Sequence, residues 1–162
     1  MYSEVNSPLQ TSAVMSLPLA LEPRQMVWQL SKTTNDALSA NFNATEFRCR
    51  CNAQRCHTTL VHPRLVEVLQ TLRDRLGKPL ILTSGFRCVN YNRTVGGRAR
   101  SFHTRGMAAD IVCQTPETLK ELAACAKELL AVGAIGQYAA RSFIHIDVRP
   151  RKTGGQIETW SG

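Results

Sequence analysis

Apolar residues recur at helical spacing twice along this chain. After His62-Pro63, residues Leu65, Val66, Leu69, Leu72 and Leu76 fall on one face, and Gly77 ends the run. The second run opens at Thr115-Pro116-Glu117, with Thr115 as N-cap and Pro116 in the first turn. It continues through Leu119, Leu122, Ala126 and Leu129 to about residue 132. A short apolar stretch at 79–84 is rich in branched residues and reads as a buried strand, and 107–112 reads as a second strand. Residues 133–138 and 142–148 read as a closing hairpin or meander. Between the first two strands, 85–106 is punctuated by glycine and lacks periodicity, which predicts a long loop with a functional purpose.

The flanks differ. The first forty residues carry Pro8, Pro18 and Pro23 and predict an arm or adaptor over 1–40, with a short helix over 25–30. Residues 43–47 offer turn chemistry, and the tail from Pro150 is polar and irregular until Trp160. Interleaved helices and strands with short links make 41–162 a single small α+β domain.

Composition supports a packed core, at 43% hydrophobic and 20% charged residues over 162 positions. No apolar run reaches the roughly 18–20 residues needed to span a bilayer. The best candidate, 13–21, is broken by Ser16 and Pro18 and follows Glu4 rather than a basic segment. The expectation is a soluble protein without a convincing signal peptide. Charge changes the picture more. The net +8 is concentrated between Arg48 and Arg105, where twelve basic residues face two acids, Glu67 and Asp74. A basic middle implies an anionic partner: nucleic acid, an acidic membrane or an acidic polymer such as cell wall. Its arginine-rich character favours bidentate recognition of carboxylate or phosphate.

Candidate chemistry lies in two histidine segments. His103 is followed seven residues later by Asp110, set in the apolar Met107-Ala-Ala-Asp110-Ile-Val. A carboxylate there needs a compensating cation, and a metal ion is one answer. In Phe143-Ile-His145-Ile-Asp147-Val, alternation puts His145 and Asp147 on one face and the aliphatic residues on the other. Two His, one Asp and an open position suit a catalytic zinc site. Two core histidines bonded to carboxylates would produce the same spacing.

Ser101-Phe-His103-Thr-Arg-Gly106-Met-Ala108-Ala-Asp110 matches S-x-H-x-x-G-x-A-x-D. On this motif the chain resembles the zinc D-Ala-D-Ala carboxypeptidase family, which includes vancomycin-resistance dipeptidases and phage L-Ala-D-Glu endolysins. Three further segments are similar to that family in order: Lys78 to Cys88 with its Ser-Gly-Phe-Arg87, Asn90-Tyr-Asn92-x-x-Val95-Gly-Gly97, and Phe143 to Arg149. The Phe47-x-Cys49-x-Cys51 lead-in is similar to a small Cys-containing branch found in phages and bacteria. The resemblance covers about residues 40–160. It implies a hedgehog-type fold with a small antiparallel sheet and flanking helices. It also implies His103, Asp110 and His145 as zinc ligands and Arg87 as a holder of substrate carboxylate or oxyanion. Ser101 would support the loop. Many members carry an acid three positions before the last His, where this chain has Ser142. Asp147 then stands as the general base or as the group that orients it.

Cys49, Cys51 and Cys56, with His57 or with Cys88 brought back by the fold, offer a second structural zinc, disulfides or free thiols. Cys113 and Cys125 read as small hydrophobes.

The function implied is hydrolysis of peptidoglycan stem peptides, by carboxypeptidase or endopeptidase action. The setting implied is a phage endolysin or virion-associated lysin, reaching the wall through lysis, with residues 1–40 as a virion or tail contact. The alternative is a catalytically weak wall-binding or structural module that keeps the zinc. A nucleic-acid partner is set aside, because no reading motif or interleaved aromatics accompany the charge.

Overall fold

The computed structural model describes residues 26–162, and the first 25 residues of the expected arm lie outside that span. From Met26 onward the chain is already part of the domain. β1 (Trp28–Ser31) pairs antiparallel with β2 (Thr58–Val61), and Trp28, Leu30 and Leu38 pack against the core. The helix expected over 25–30 is therefore a strand from Trp28 onward. Its alternation of half-buried and exposed positions fits a two-stranded ribbon lying on a core.

The expected turn at 43–47 is the short helix α1 (Ala44–Phe47). Glu46 reaches back to accept from the Asn43 N–H at 2.8 Å, a capping-box contact that closes one turn. Its last residue, Phe47, is buried and meets Phe42 edge-on at 6.2 Å.

α2 (Pro63–Leu76) follows the predicted pattern, capped by the His62 side chain and ended by Gly77 at φ 60°. α4 (Pro116–Glu128) starts on Thr115, whose Oγ1 accepts from the Thr118 N–H at 3.1 Å. It stops four residues short of the expected end, leaving Leu130 85% exposed beyond it.

Among the described residues five strands form the main sheet: β3 (Leu82–Ser84), β4 (Ala108–Val112), β5 (Ala134–Tyr138), β6 (Phe143–Asp147) and β7 (Glu158–Ser161). Their order is β3-β4-β6-β5-β7, antiparallel throughout except for β5 with β7. The strand β7 replaces part of the expected irregular tail. It is a short edge strand of mixed polarity, with no apolar run to announce it.

The register divides the sheet into two faces. Ile111 opposes Ile144 and Ala109 opposes Ile146, and these join Leu65, Leu69, Leu72, Leu119 and Leu122 in one core. In the intervening positions Asp110 opposes His145 and Ala108 opposes Asp147. Period-two alternation thus sends Asp110, His145 and Asp147 to the face away from the core.

The segment 85–106 is not structureless. It holds α3 (Val89–Thr94), with Cys88 at its N-cap, and a 3-10 turn (Phe102–Arg105) started by Ser101. Both pieces are too short to show hydrophobic periodicity.

Candidate metal centre and its cavity

Asp110 and His145 meet across neighbouring strands, and His103 is delivered by the 3-10 turn. Ser101 starts that turn, its Oγ accepting from the His103 N–H at 3.3 Å. The end of β3 holds the turn from the other side. Gly85 C=O accepts from His103 Nδ1 at 2.7 Å, and Arg87 N–H donates to His103 C=O at 3.2 Å. A side chain at Gly85 could not be accommodated, since a Cβ there would stand 2.6 Å from the Phe47 Cα.

Three donor atoms converge. His103 Nε2 lies 3.1 Å from Asp110 Oδ1, His145 Nδ1 lies 2.9 Å from the same oxygen, and the two nitrogens are 3.1 Å apart. Tetrahedral zinc with bonds of about 2.0–2.1 Å places ligand atoms about 3.3 Å from each other, so the triangle is close to metal size.

The hydrogen bonds behind the ligands agree. A carbonyl only accepts, so Gly85 fixes the proton of His103 on Nδ1 and frees Nε2. Asp147 Oδ2, 3.2 Å from His145 Nε2, fixes that proton in the same way and leaves Nδ1 facing the centre. Burial pushes the His103 imidazole below its ordinary pKa, keeping it neutral. For Asp110, burial works toward the neutral acid, but the His103 and His145 imidazoles beside it outweigh burial and hold its carboxyl below the usual carboxylate range. Two imidazole nitrogens and a carboxylate directed at one point are the donor set of a catalytic zinc, with further positions left for water or substrate.

Around the ligands the sequence-derived candidates separate. Arg87 donates through Nη2 to Asp110 Oδ2 and through Nε to Ser84 Oγ at 2.7 Å, and its guanidinium lines the cavity. It is thereby both the partner of a ligand and a group at the cavity wall. Ser142 sits exposed in a left-handed turn at φ 53° ahead of β6, where its carbonyl accepts from the Cys113 N–H at 2.8 Å.

Asp147 is fully buried behind His145. Its oxygens take hydrogen bonds from Arg149 N–H at 3.1 Å, Arg149 Nε at 2.8 and 3.0 Å, and Arg149 Nη2, besides His145. Burial alone would raise its pKa, but the bonds from His145 and Arg149 prevail and lower it.

Other residues at the site went unnoticed in the sequence. Trp160 on β7 faces Gly136 on β5, which faces His145 on β6. A Cβ on Gly136 would lie 2.4 Å from the indole, so glycine is what lets Trp160 cross the strand and reach His145, at 5.5 Å between rings. Arg149 continues the His145/Asp147 face, donates to Glu158 Oε2 at 2.5 Å and lies 4.3 Å over the Phe102 ring. Alternation alone marked 149, two residues after 147; nothing local marked Trp160 or Glu158.

The ligands form the floor of a cavity of about 840 Å³. Arg87, Arg98, Arg100, Arg141 and Arg149 line it, against the acids Asp110 and Glu158, both already paired with arginine. Three of these arginines come from the basic middle of the sequence.

A second cluster stands apart from this cavity. The sulfurs of Cys49, Cys51, Cys56 and Cys88 lie within 4.8 Å of one another, and all are free thiols. His57 is exposed and takes no part in it; its carbonyl accepts from the Lys32 N–H at 2.7 Å. Cys113 is buried as expected, and Cys125 is half-buried against the core.

Comparison with known proteins agrees with this geometry. The chain is 32% identical over 99 residues to the peptidoglycan L,D-endopeptidase MepK of Escherichia coli strain K12. The match to MepK of Shigella flexneri has the same extent, covering 57% of this chain and 53% of the relative in each case. The chain thus spans about half the length of the curated relatives it matches. A family model, Peptidase M15, fits residues 40–147, from just before α1 to the end of β6, and so takes in all three converging ligands. The chain belongs to the peptidase M15 family of zinc-dependent peptidases.

Proposed function

We propose that the chain is a zinc peptidase that hydrolyses peptide bonds in the stem peptides of peptidoglycan. The observation that carries this reading is the triangle of His103 Nε2, Asp110 Oδ1 and His145 Nδ1 at the floor of an arginine-lined cavity. His103, Asp110 and His145 would hold a zinc ion, which would supply Lewis acidity toward the scissile carbonyl and lower the pKa of water toward neutrality.

The chain's own residues divide the remaining work. Gly85 and Asp147 fix the tautomers of the two histidines. Arg87 holds Asp110 in place and presents its guanidinium to the cavity, where charge develops on the carbonyl oxygen. Asp147 is a positioning residue in this reading. A base must come within reach of the proton it removes, and this carboxylate is enclosed behind His145 with its oxygens occupied. Arg98, Arg100 and Arg141 provide the positive wall that a carboxylate-rich stem peptide requires.

We further propose an endopeptidase. The cavity is large, and the relatives carrying the name MepK are L,D-endopeptidases. Delivery by phage lysis or in a virion is retained as the setting. Mass spectrometry of muropeptides after digestion of purified sacculi decides the bond. New fragments from within a cross-link support the endopeptidase, and release of a single terminal residue replaces it with a carboxypeptidase.

A further inference from the structure

We propose that Cys49, Cys51, Cys56 and Cys88 form a second, structural zinc site, separate from the His103/Asp110/His145 centre. Four thiolates at about 2.3 Å from a tetrahedral zinc stand about 3.8 Å apart. The Cys88 and Cys51 sulfurs are 3.8 Å apart, and all four sulfurs lie within 4.8 Å of one another. The sulfurs come from distant parts of the chain, three from the segment between α1 and β2 and one from the cap of α3.

Their surroundings suit thiolates bound to a metal. Cys49 Sγ accepts from the Cys88 N–H at 3.3 Å, and Cys88 Sγ accepts from the Tyr91 N–H at 3.4 Å. Lys32 Nζ lies 3.5 Å from Cys51 Sγ and also donates to the Cys51 carbonyl at 2.7 Å, bringing a positive charge beside a dianionic centre. N–H donors and a cation at sulfur are the outer contacts that orient and hold ligating groups.

The segment needs such a clip. Residues 52–55 are all exposed and contribute nothing to the core, yet they sit in a defined turn with Cys56 N–H donating to Ala53 C=O at 3.0 Å. A cross-link between Cys49–Cys56 and Cys88 supplies the enthalpy that apolar packing does not. Its placement matters for the other centre. Cys88 follows Arg87 directly, so the clip fixes the backbone that presents Arg87 to Asp110.

The test is metal content of the full-length protein, purified under reducing conditions without chelator from zinc-supplied medium. Wild type is expected to hold two zinc per chain, His103→Ala one, and the double variant Cys49→Ser/Cys56→Ser one. Cobalt replacement supplies a readout that does not depend on the variant folding. Wild type and His103→Ala should show thiolate-to-cobalt charge-transfer absorption, which a site of two His and one Asp cannot give. A single zinc per chain that disappears with His103→Ala, or cobalt-loaded protein without that absorption, overturns the proposal. So does thiol counting in denaturant that finds the four cysteines paired as disulfides. Loss of hydrolysis with both zinc ions retained would instead count against the proposed activity and leave this site standing.

Discussion

Each ligand at the centre is aimed by one identifiable contact, and Asp147 is the residue where this can be separated from other roles. In Asp147→Asn the side-chain shape survives but the carboxylate that orients His145 and binds Arg149 is lost. Zinc affinity is expected to fall about 10–100-fold, measured by competition with a chromophoric chelator. Activity at saturating zinc should recover most of its value. Were Asp147 the general base, affinity would stay near wild type while turnover collapsed even with zinc in excess. Gly136 supports a second prediction. In Gly136→Ala the new methyl overlaps Trp160, and the strain should cost about 1–3 kcal/mol in a urea unfolding series. The predicted secondary effect is weaker activity, because the indole moves from His145.

At the scale of elements, stability rests on α2 and α4 packed against the inner face of the sheet. Leu69 is fully buried in α2, so Leu69→Ala is expected to lose about 2–5 kcal/mol by thermal or denaturant unfolding. Thr115→Ala, which removes a cap at a helix start, should cost about 1 kcal/mol. The difference between these two is the difference between a cavity and one unsatisfied N–H. These helices were also the most legible part of the sequence, because each combines a long apolar period with a start signal, and Gly77 stops the first. Strand β4 was legible as a short apolar stretch around Asp110, and β6 through alternation, which also placed His145 and Asp147 on one face. What escaped was short or depended on partners. α3 and the 3-10 turn have one or two turns each, and β7 is an edge strand whose identity comes from pairing with β5. β1 was misread as helix, because four residues carry too little pattern to outweigh the tertiary contact that decides them. The role of Asp147 was left between base and orienting group, since spacing shows which face a carboxylate is on but not whether it is enclosed.

For the whole molecule, charge and chemistry converge on one opening. Among the described residues five arginines line the cavity, and the two acids there are already paired. Raising ionic strength from about 0.1 M to about 1 M shortens the screening length from about 10 Å to about 3 Å. Hydrolysis of intact sacculi should then slow by about 10-fold, mainly through association, while an uncharged short peptide is affected far less. Equal salt sensitivity for both substrates would remove the cavity arginines from substrate capture. The central claim, that the His103, Asp110 and His145 centre makes this chain a zinc peptidase of the wall, is tested most directly by mass spectrometry of purified sacculi after incubation with the protein. New peptide fragments should accumulate with the wild type, vanish on chelation, return on adding zinc and be absent with His103→Ala. Intact muropeptides after incubation with zinc-loaded wild type would contradict it.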